Sequence, residues 1–208
     1  MKKPIIWLFA VIIILAALLA GPIMSNVGQA KYDVIETHGA IELRDYDPMI
    51  VAVVSVPGDR KKAIGDGFQL IADYIFGNNI SSRKVPMTAP VIQQPTEKIA
   101  MTAPVTHQAG EELWDVQFVM PYDYTMQTLP KPNNPDIHLK RISGKRFAVI
   151  RFSGLARANS LAAHSKELET FILENNLETI SEPVYAFFNP PWTLPLLRRN
   201  EVMLEIKK

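Results

Sequence analysis

Two hydrophobic patterns divide this chain. Ile5–Ala20 is a run of sixteen apolar residues, and Gly21–Met24 extend the uncharged stretch to twenty. A segment apolar on every face does not suit a surface helix, and about 20 residues of helix span a bilayer core. One N-terminal hydrophobic helix is expected, with residues 1–24 acting as a transmembrane anchor or a signal segment. A Gly28-x-Ala30 cleavage site lies well beyond the apolar run, whereas a cleavable signal has a shorter one. Residues 25–31 read as a linker and 32–208 as one domain. Lys2 and Lys3 should stay cytoplasmic. The expected arrangement is a single-pass protein with an extracytoplasmic, periplasmic domain, or a secreted or periplasmic domain if the segment is removed.

Beyond the linker the pattern becomes strand-like and then helical, twice. Residues 41–58 (IELRDYDPMIVAVVSVPG) align without a gap with residues 137–154 (IHLKRISGKRFAVIRFSG). Ile41/Ile137, Leu43/Leu139, Ala52/Ala148, Val53/Val149 and Gly58/Gly154 are identical. Each copy reads as a strand, a turn at Pro48 or Gly144, and a second strand stopped by glycine. Each then leads into a helical pattern. Ile64, Phe68, Ile71 and Ile75 form one apolar face, with Gly77 as its stop. Leu161, Leu168 and Phe171/Ile172 form the other, with Asn159 as the expected cap and Asn175-Asn176 at its end. Apolar segments follow at Trp114–Met120, Val184–Phe188 and Val202–Ile206. The expected fold class is α+β: a pseudo-twofold repeat of strand–helix units forming a distorted antiparallel β-barrel with two packed helices. A groove between the repeats is the natural pocket.

Composition narrows the function. The chain holds 22 basic and 21 acidic residues. With Lys2 and Lys3 set aside, the rest is close to neutral, so nucleic acid is not an expected partner. There is no cysteine, which excludes disulfides, thiolate metal sites, a cysteine nucleophile and a lipidated-cysteine anchor.

Lys84–Val91 (KVPMTAPV) and Lys98–Val105 (KIAMTAPV) repeat a second motif. Pro90 and Pro104 push the preceding alanines into extended conformation. Each Met-Thr-Ala-Pro-Val should form an edge strand or groove wall. Taken in order, IELRDY (41–46), GFxLIxxYIxGNN (67–79), the doubled MTAPV, VMP (119–121), FSG (152–154) and NPPWTLPLLRRNEV (189–202) resemble the SOUL/heme-binding protein family across nearly all of residues 32–207. The resemblance implies a barrel of two repeated strand–helix units. It also implies binding of heme, another tetrapyrrole or a similar flat hydrophobic ligand, without catalysis. It further suggests kinship with small-molecule-binding domains of bacterial transcription regulators.

Heme needs an apolar slot, cations for its propionates and often an axial side chain. His164, between Leu161 and Leu168 on the inner helix face, is the candidate metal ligand; His38, His107 and His138 read as turn, loop and strand residues. In some family members the axial histidine is proposed between the Arg and Tyr of the first strand, where this chain has Asp45. Heme, if bound, is therefore expected without firm coordination. Arg44, Lys84, Lys98, Arg198 and Arg199 are propionate candidates. Phe68, Tyr74 and Trp192 could wall the groove, as could Met87 and Met101, though core packing also explains these side chains. Arg198-Arg199-Asn200-Glu201 reads as a charged turn before the last strand.

Two alternatives stay open. One is an extracytoplasmic protein-interaction scaffold, marked by a large exposed apolar patch. The other is a small-molecule hydrolase on the same fold, using Glu36, Glu42 or Asp45, whose mark would be a raised carboxyl pKa in a pocket.

Overall fold

The computed structural model describes residues 28–81, 84–86, 88–95, 113–189 and 193–208. The expected N-terminal helix lies outside them. Among the described residues no helix is long and apolar enough to cross a membrane.

The strands are β1 (Gly28–Gln29), β2 (Tyr32–His38), β3 (Ile41–Tyr46), β4 (Met49–Pro57), β5 (Thr88–Ala89), β6 (Val91–Pro95), β7 (Leu113–Val119), β8 (His138–Ile142), β9 (Lys145–Phe152), β10 (Val184–Phe187) and β11 (Asn200–Glu205). Helix α1 (Arg60–Ile75) follows β4, and α2 (Ala158–Glu174) follows β9. Nine strands form one curled antiparallel sheet in the order β2-β3-β9-β11-β10-β6-β7-β4-β8, while β1 pairs in parallel with β5.

The duplication is visible in this order. Exchanging β3 for β8, β4 for β9, β6 for β10 and β7 for β11 reverses the eight-strand sequence from β3 to β8. A pseudo-twofold axis therefore runs between β10 and β6. The glycines closing the two copies, Gly58 and Gly154, both have positive φ (111° and 104°), where a Cβ is strained.

The pairing differs from the pattern's simplest reading. β3 and β4 are not neighbours; β3 pairs with β9 (Ile41 with Ile150, Tyr46 with Lys145) and β4 with β8 (Met49 with Ile142, Val53 with His138). Each copy gives its first strand to the second strand of the other, and one register runs through both pairings. The two chains of this ribbon bend together at Asp47-Pro48 and Ser143-Gly144. A Cβ on Gly144 would lie 2.9 Å from the Tyr46 carbonyl oxygen and 3.5 Å from Pro48 Cδ, so only glycine fits the crossing. The bend carries the ribbon from one end of the sheet to the other and curls it into a half-barrel.

Both helices begin and end for local reasons. The Asp59 side chain accepts from Lys61 N and Lys62 N, capping α1,. Asn159, expected to cap α2, is instead inside it and accepts from Ser160 N at 2.9 Å; Arg157 holds the cap position without a side-chain bond. Gly77 (φ 120°) and Asn176 (φ 54°) end the helices in left-handed conformation. The amides that follow bond back to Asp73 and Ile172, closing a Schellman motif each time.

The sheet separates three apolar clusters. Beneath α1, Ile71, Tyr74 and Ile75 meet Ala52, Val54, Val116 and Phe118. Beneath α2, Leu161, Leu168 and Ile172 meet Leu43, Ala148, Ile150, Val202 and Leu204. The inward side chains, Tyr46, Val51, Val119, Val149, Val184 and Met203 with Met49, Ile92 and Phe147, fill the half-barrel. Period-two alternation sends β11 Val202 and Leu204 to a helix and Met203 to the interior. In the first Met-Thr-Ala-Pro-Val, Thr88–Ala89 is β5 of the two-stranded sheet, Pro90 lines the interior cavity, and Val91 opens β6, which lies centrally between β10 and β7. Pro90 falls just before it, where no ladder hydrogen bond is lost.

Candidate functional site

The interior combines a small cavity with a buried ionic cluster. The cavity, about 100 Å³, is lined by Tyr46, Met49, Ile92, Phe147, Val184 and Met203, with Ala30, Pro90 and Ile142. Gln117, Ser143 and Lys145 are its polar margin, and Lys145 Nζ is paired with Glu205 Oε2. Residues 28–32 cross from β5 to the start of β2 as a strap. Ala30, at the middle of the strap, is 6% exposed and packs into the interior cluster. Lys31 N bonds the Tyr122 hydroxyl at 3.0 Å, and Asp47 N bonds the Lys31 carbonyl at 3.1 Å.

Glu201 sits two residues from Met203 and shares its inward phase. It is fully buried. Oε2 accepts from Arg44 Nη1 at 2.9 Å, and Oε1 accepts from Arg199 Nε at 2.8 Å. Arg44 also donates to Glu42 Oε2 at 2.7 Å and to the Tyr46 hydroxyl at 3.1 Å, and its guanidinium lies 4.5 Å over the Tyr32 ring. Arg199 lies 3.8 Å over the Phe188 ring and donates to the Tyr32 hydroxyl and to Gln29 Oε1, each at 3.2 Å. Burial opposes the Arg44 charge, but the hydrogen bond and field of Glu201, with Tyr46, outweigh it and raise its pKa. Burial pushes the Tyr46 hydroxyl pKa up, and Glu201 adds to the effect. Such a cluster gains nothing from water and depends on each partner being present.

The expected site residues scatter. Arg44 is in the interior with its guanidinium engaged by Glu42, Tyr46 and Glu201. Phe68 and Tyr74 are not in the groove: both are under α1, where Phe68 meets Phe118 at 5.3 Å between ring centroids. The Tyr74 hydroxyl bonds the Pro130 carbonyl at 2.8 Å, and burial, then Tyr124, pushes its pKa up to about 12. Helical periodicity marked Phe68 as inward, but inward here means toward the sheet's outer face. Lys84 is exposed. Arg198 Nε bonds the Thr193 carbonyl at 2.7 Å beside the last strand. Met87, Lys98, Met101, Trp192 and His107 lie outside the described residues.

None of the described histidines reaches the interior. His164 belongs to the α2 side: Nδ1 contacts the Ser160 carbonyl at 2.7 Å, and the ring stacks on Phe152 at 4.0 Å. His38 is exposed beside Glu36 and Phe171, and His138 is exposed on the edge strand β8. No cluster of three or more His, Cys, Asp or Glu suited to a metal occurs among the described residues. Ligand pockets commonly measure about 300–1,000 Å³, so the cavity holds a ring edge or an alkyl arm, not a whole porphyrin. Histidine-ligated heme does not fit the described interior. A second depression, about 200 Å³, opens at the surface among Pro48, Met49, Tyr122, Tyr124 and Arg141, outside the half-barrel.

Sequence reasoning missed Glu201 by reading it as part of a turn, and it singled out Arg199 as a propionate candidate without seeing that Glu201 holds it. The available signal was strand phase, since Glu201 alternates with Val202 in step with Met203. It also missed Tyr46, Phe147 and Val184, whose inward phase only the barrel's curl converts into a shared cavity.

An α+β half-barrel with two helices outside is a fold shared with solved proteins. The C-terminal domain of EcmrR aligns with a TM-score of 0.59 at 12% identity, covering 85% of this chain and 98% of that one. A hydrolase from Listeria innocua aligns at 0.55 and 12% identity, covering 83% and 94%. An uncharacterized conserved protein from Listeria innocua aligns at 0.53 and 14%, covering 80% and 92%. At these identities the likeness is one of fold. A search of curated proteins finds no match. The family model described as SOUL heme-binding protein matches residues 27–205, and the chain belongs to that family.

Proposed function

We propose that this is a membrane-tethered SOUL-family protein that binds a tetrapyrrole or similar flat hydrophobic ligand inside the half-barrel, by apolar contact and without catalysis. The observation that carries this reading is the cavity walled by Tyr46, Met49, Phe147 and Met203, in a family whose description is heme binding. The strap at Ala30 lifts to admit the rest of the ring system. Lys145 at the margin supplies a cation for a carboxylate. None of the described histidines stands at the cavity to take iron. The apolar run before the domain holds it at a membrane with the domain extracytoplasmic.

The carboxylates considered for hydrolysis support the non-catalytic reading. Glu36 pairs with His38, and Glu42 with Arg44. Asp45, in the position of the family's proposed axial histidine, forms a two-pronged bond to Arg146 at 2.9 and 2.7 Å. That bond holds the Asp45 carboxyl below its usual range, opposite to what a general acid needs.

The test is titration of residues 25–208 with hemin and with iron-free protoporphyrin, following tryptophan quenching and the Soret band. Saturable one-to-one binding of both at similar affinity, unchanged by His164→Ala, is expected. Val184→Phe, which fills the cavity, should weaken both tenfold or more. Non-saturable binding, or binding indifferent to Val184→Phe, would remove the interior as the site.

A further inference from the structure

The loop before β11 exposes a leucine cluster that neither the sheet nor the helices use. Leu194, Leu196 and Leu197 are 46%, 85% and 50% exposed, and Leu155 is 39% exposed. The Gly154 amide bonds the Pro195 carbonyl at 2.8 Å, so Leu155 and the three loop leucines stand together at one end of the half-barrel. Scattered exposed leucines are ordinary, but several on one tip mark an interaction surface.

Two further observations specify what covers it. The first is charge. Residues 151–163 and 193–200 contain Arg151, Arg157, Arg198 and Arg199 and no acidic residue. Arg199 is turned inward to Glu201, while Arg151 and Arg157 are exposed. Leucines at a tip with arginines behind them suit the boundary between acyl chains and anionic headgroups. The second is the path of the chain. Gln29 is hydrogen-bonded to Arg199, two residues from Leu197. The twenty-residue uncharged stretch ends at Met24, only four residues before Gly28. Four extended residues span at most about 14 Å.

We infer that the Leu194–Leu197 loop, with Leu155, docks into the surface of an anionic lipid bilayer and holds this end of the half-barrel against it. The inference rests on the reading of residues 1–24 as an anchor. A tether alone would leave the domain free to tumble, whereas the loop fixes its orientation.

The test uses the full chain, which contains no cysteine, so a single introduced thiol takes one label. Leu196→Cys and Leu173→Cys each carry a polarity-sensitive fluorophore. Leu173 is 76% exposed at the far end of α2 and serves as the aqueous control. The labelled chains are reconstituted with phosphatidylcholine–phosphatidylglycerol vesicles containing nitroxide-labelled lipid and separated by flotation. The expected result is that both chains float and that the label at 196 alone loses emission to the nitroxide. If both float and the label at 196 is as aqueous as that at 173, docking is wrong and the anchor stands. A blue-shifted but unquenched label at 196 overturns docking in favour of a protein contact. If neither floats, the anchor and the docking fall together.

Discussion

Outside the sheet, Leu161, Leu168 and Ile172 from α2 meet Leu43, Ala148 and Ile150 in a cluster made entirely of hydrocarbon. Inside it, one residue away along the same strands, Arg44 and Glu201, with Arg199, share the space with Tyr32, Tyr46 and a cavity. The same strands supply both environments by alternation. The outer clusters are apolar and hold the two helices on the sheet. The interior combines charge with vacant volume, a poor choice for stability alone, and that is where a ligand site is economically placed. The difference teaches that burial in this fold does not distinguish scaffold from site; the face of the strand does.

Mutation should separate the two sides. Glu201→Gln leaves the Arg199 guanidinium without its carboxylate and Arg44 with Glu42 alone. A loss of about 3–5 kcal/mol is expected, read as a fall in the urea midpoint; a shift of a few tenths would mean that the interior cluster is solvated. Leu168→Ala opens a cavity under α2 and should cost about 2–4 kcal/mol, with porphyrin affinity of the folded protein unchanged. Lost affinity there would show that the outer cluster and the interior are not separate.

The smallest effect concerns pH. The Asp45 carboxyl has a lowered pKa in the folded protein, first through its hydrogen bond with Arg146. A lowered folded value means that its contribution is present above the ordinary Asp value of about 3.9 and is lost as the pH falls through the folded value. The pair is partly exposed, so roughly 1 kcal/mol or less is at stake. Asp45→Asn should be slightly less stable than the parent at neutral pH, with the gap closing below about pH 4. A gap that persists at acid pH would assign the effect to packing.

Much of the architecture was legible in residues. The aligned copies at 41–58 and 137–154 gave the duplication, and the apolar steps from Ile64 to Ile75 and from Leu161 to Ile172 gave both helices. The exchanged pairing was not legible, because two strands joined at Pro48 or Gly144 satisfy the same alternation as a hairpin or as halves of a crossed ribbon. The site was read less well for a related reason. Phe68 and Tyr74 face inward on α1, but a curled sheet has two insides, and periodicity alone cannot tell which one a helix faces. Arg44 was picked out by its place in a strand, yet its partner Glu201 lies 157 residues away, beyond the reach of any local pattern.

The crossed ribbon also bears on how such a protein can be assembled and where it can have come from. Neither repeat completes a sheet alone: β3 needs β9, and β4 needs β8. When residues 41–75 leave the ribosome, β3 has only β2 to pair with and the ribbon partners β8 and β9 are still some sixty to seventy residues from being made, so folding of the ribbon waits for the second half,. A single repeat set free would meet its missing partners most readily in another copy of itself, related by the same twofold axis. Read this way, the present chain is a fused homodimer. The two halves are no longer equal: one supplies Arg44 and the other Glu201, and together they build an asymmetric interior that two identical copies could not.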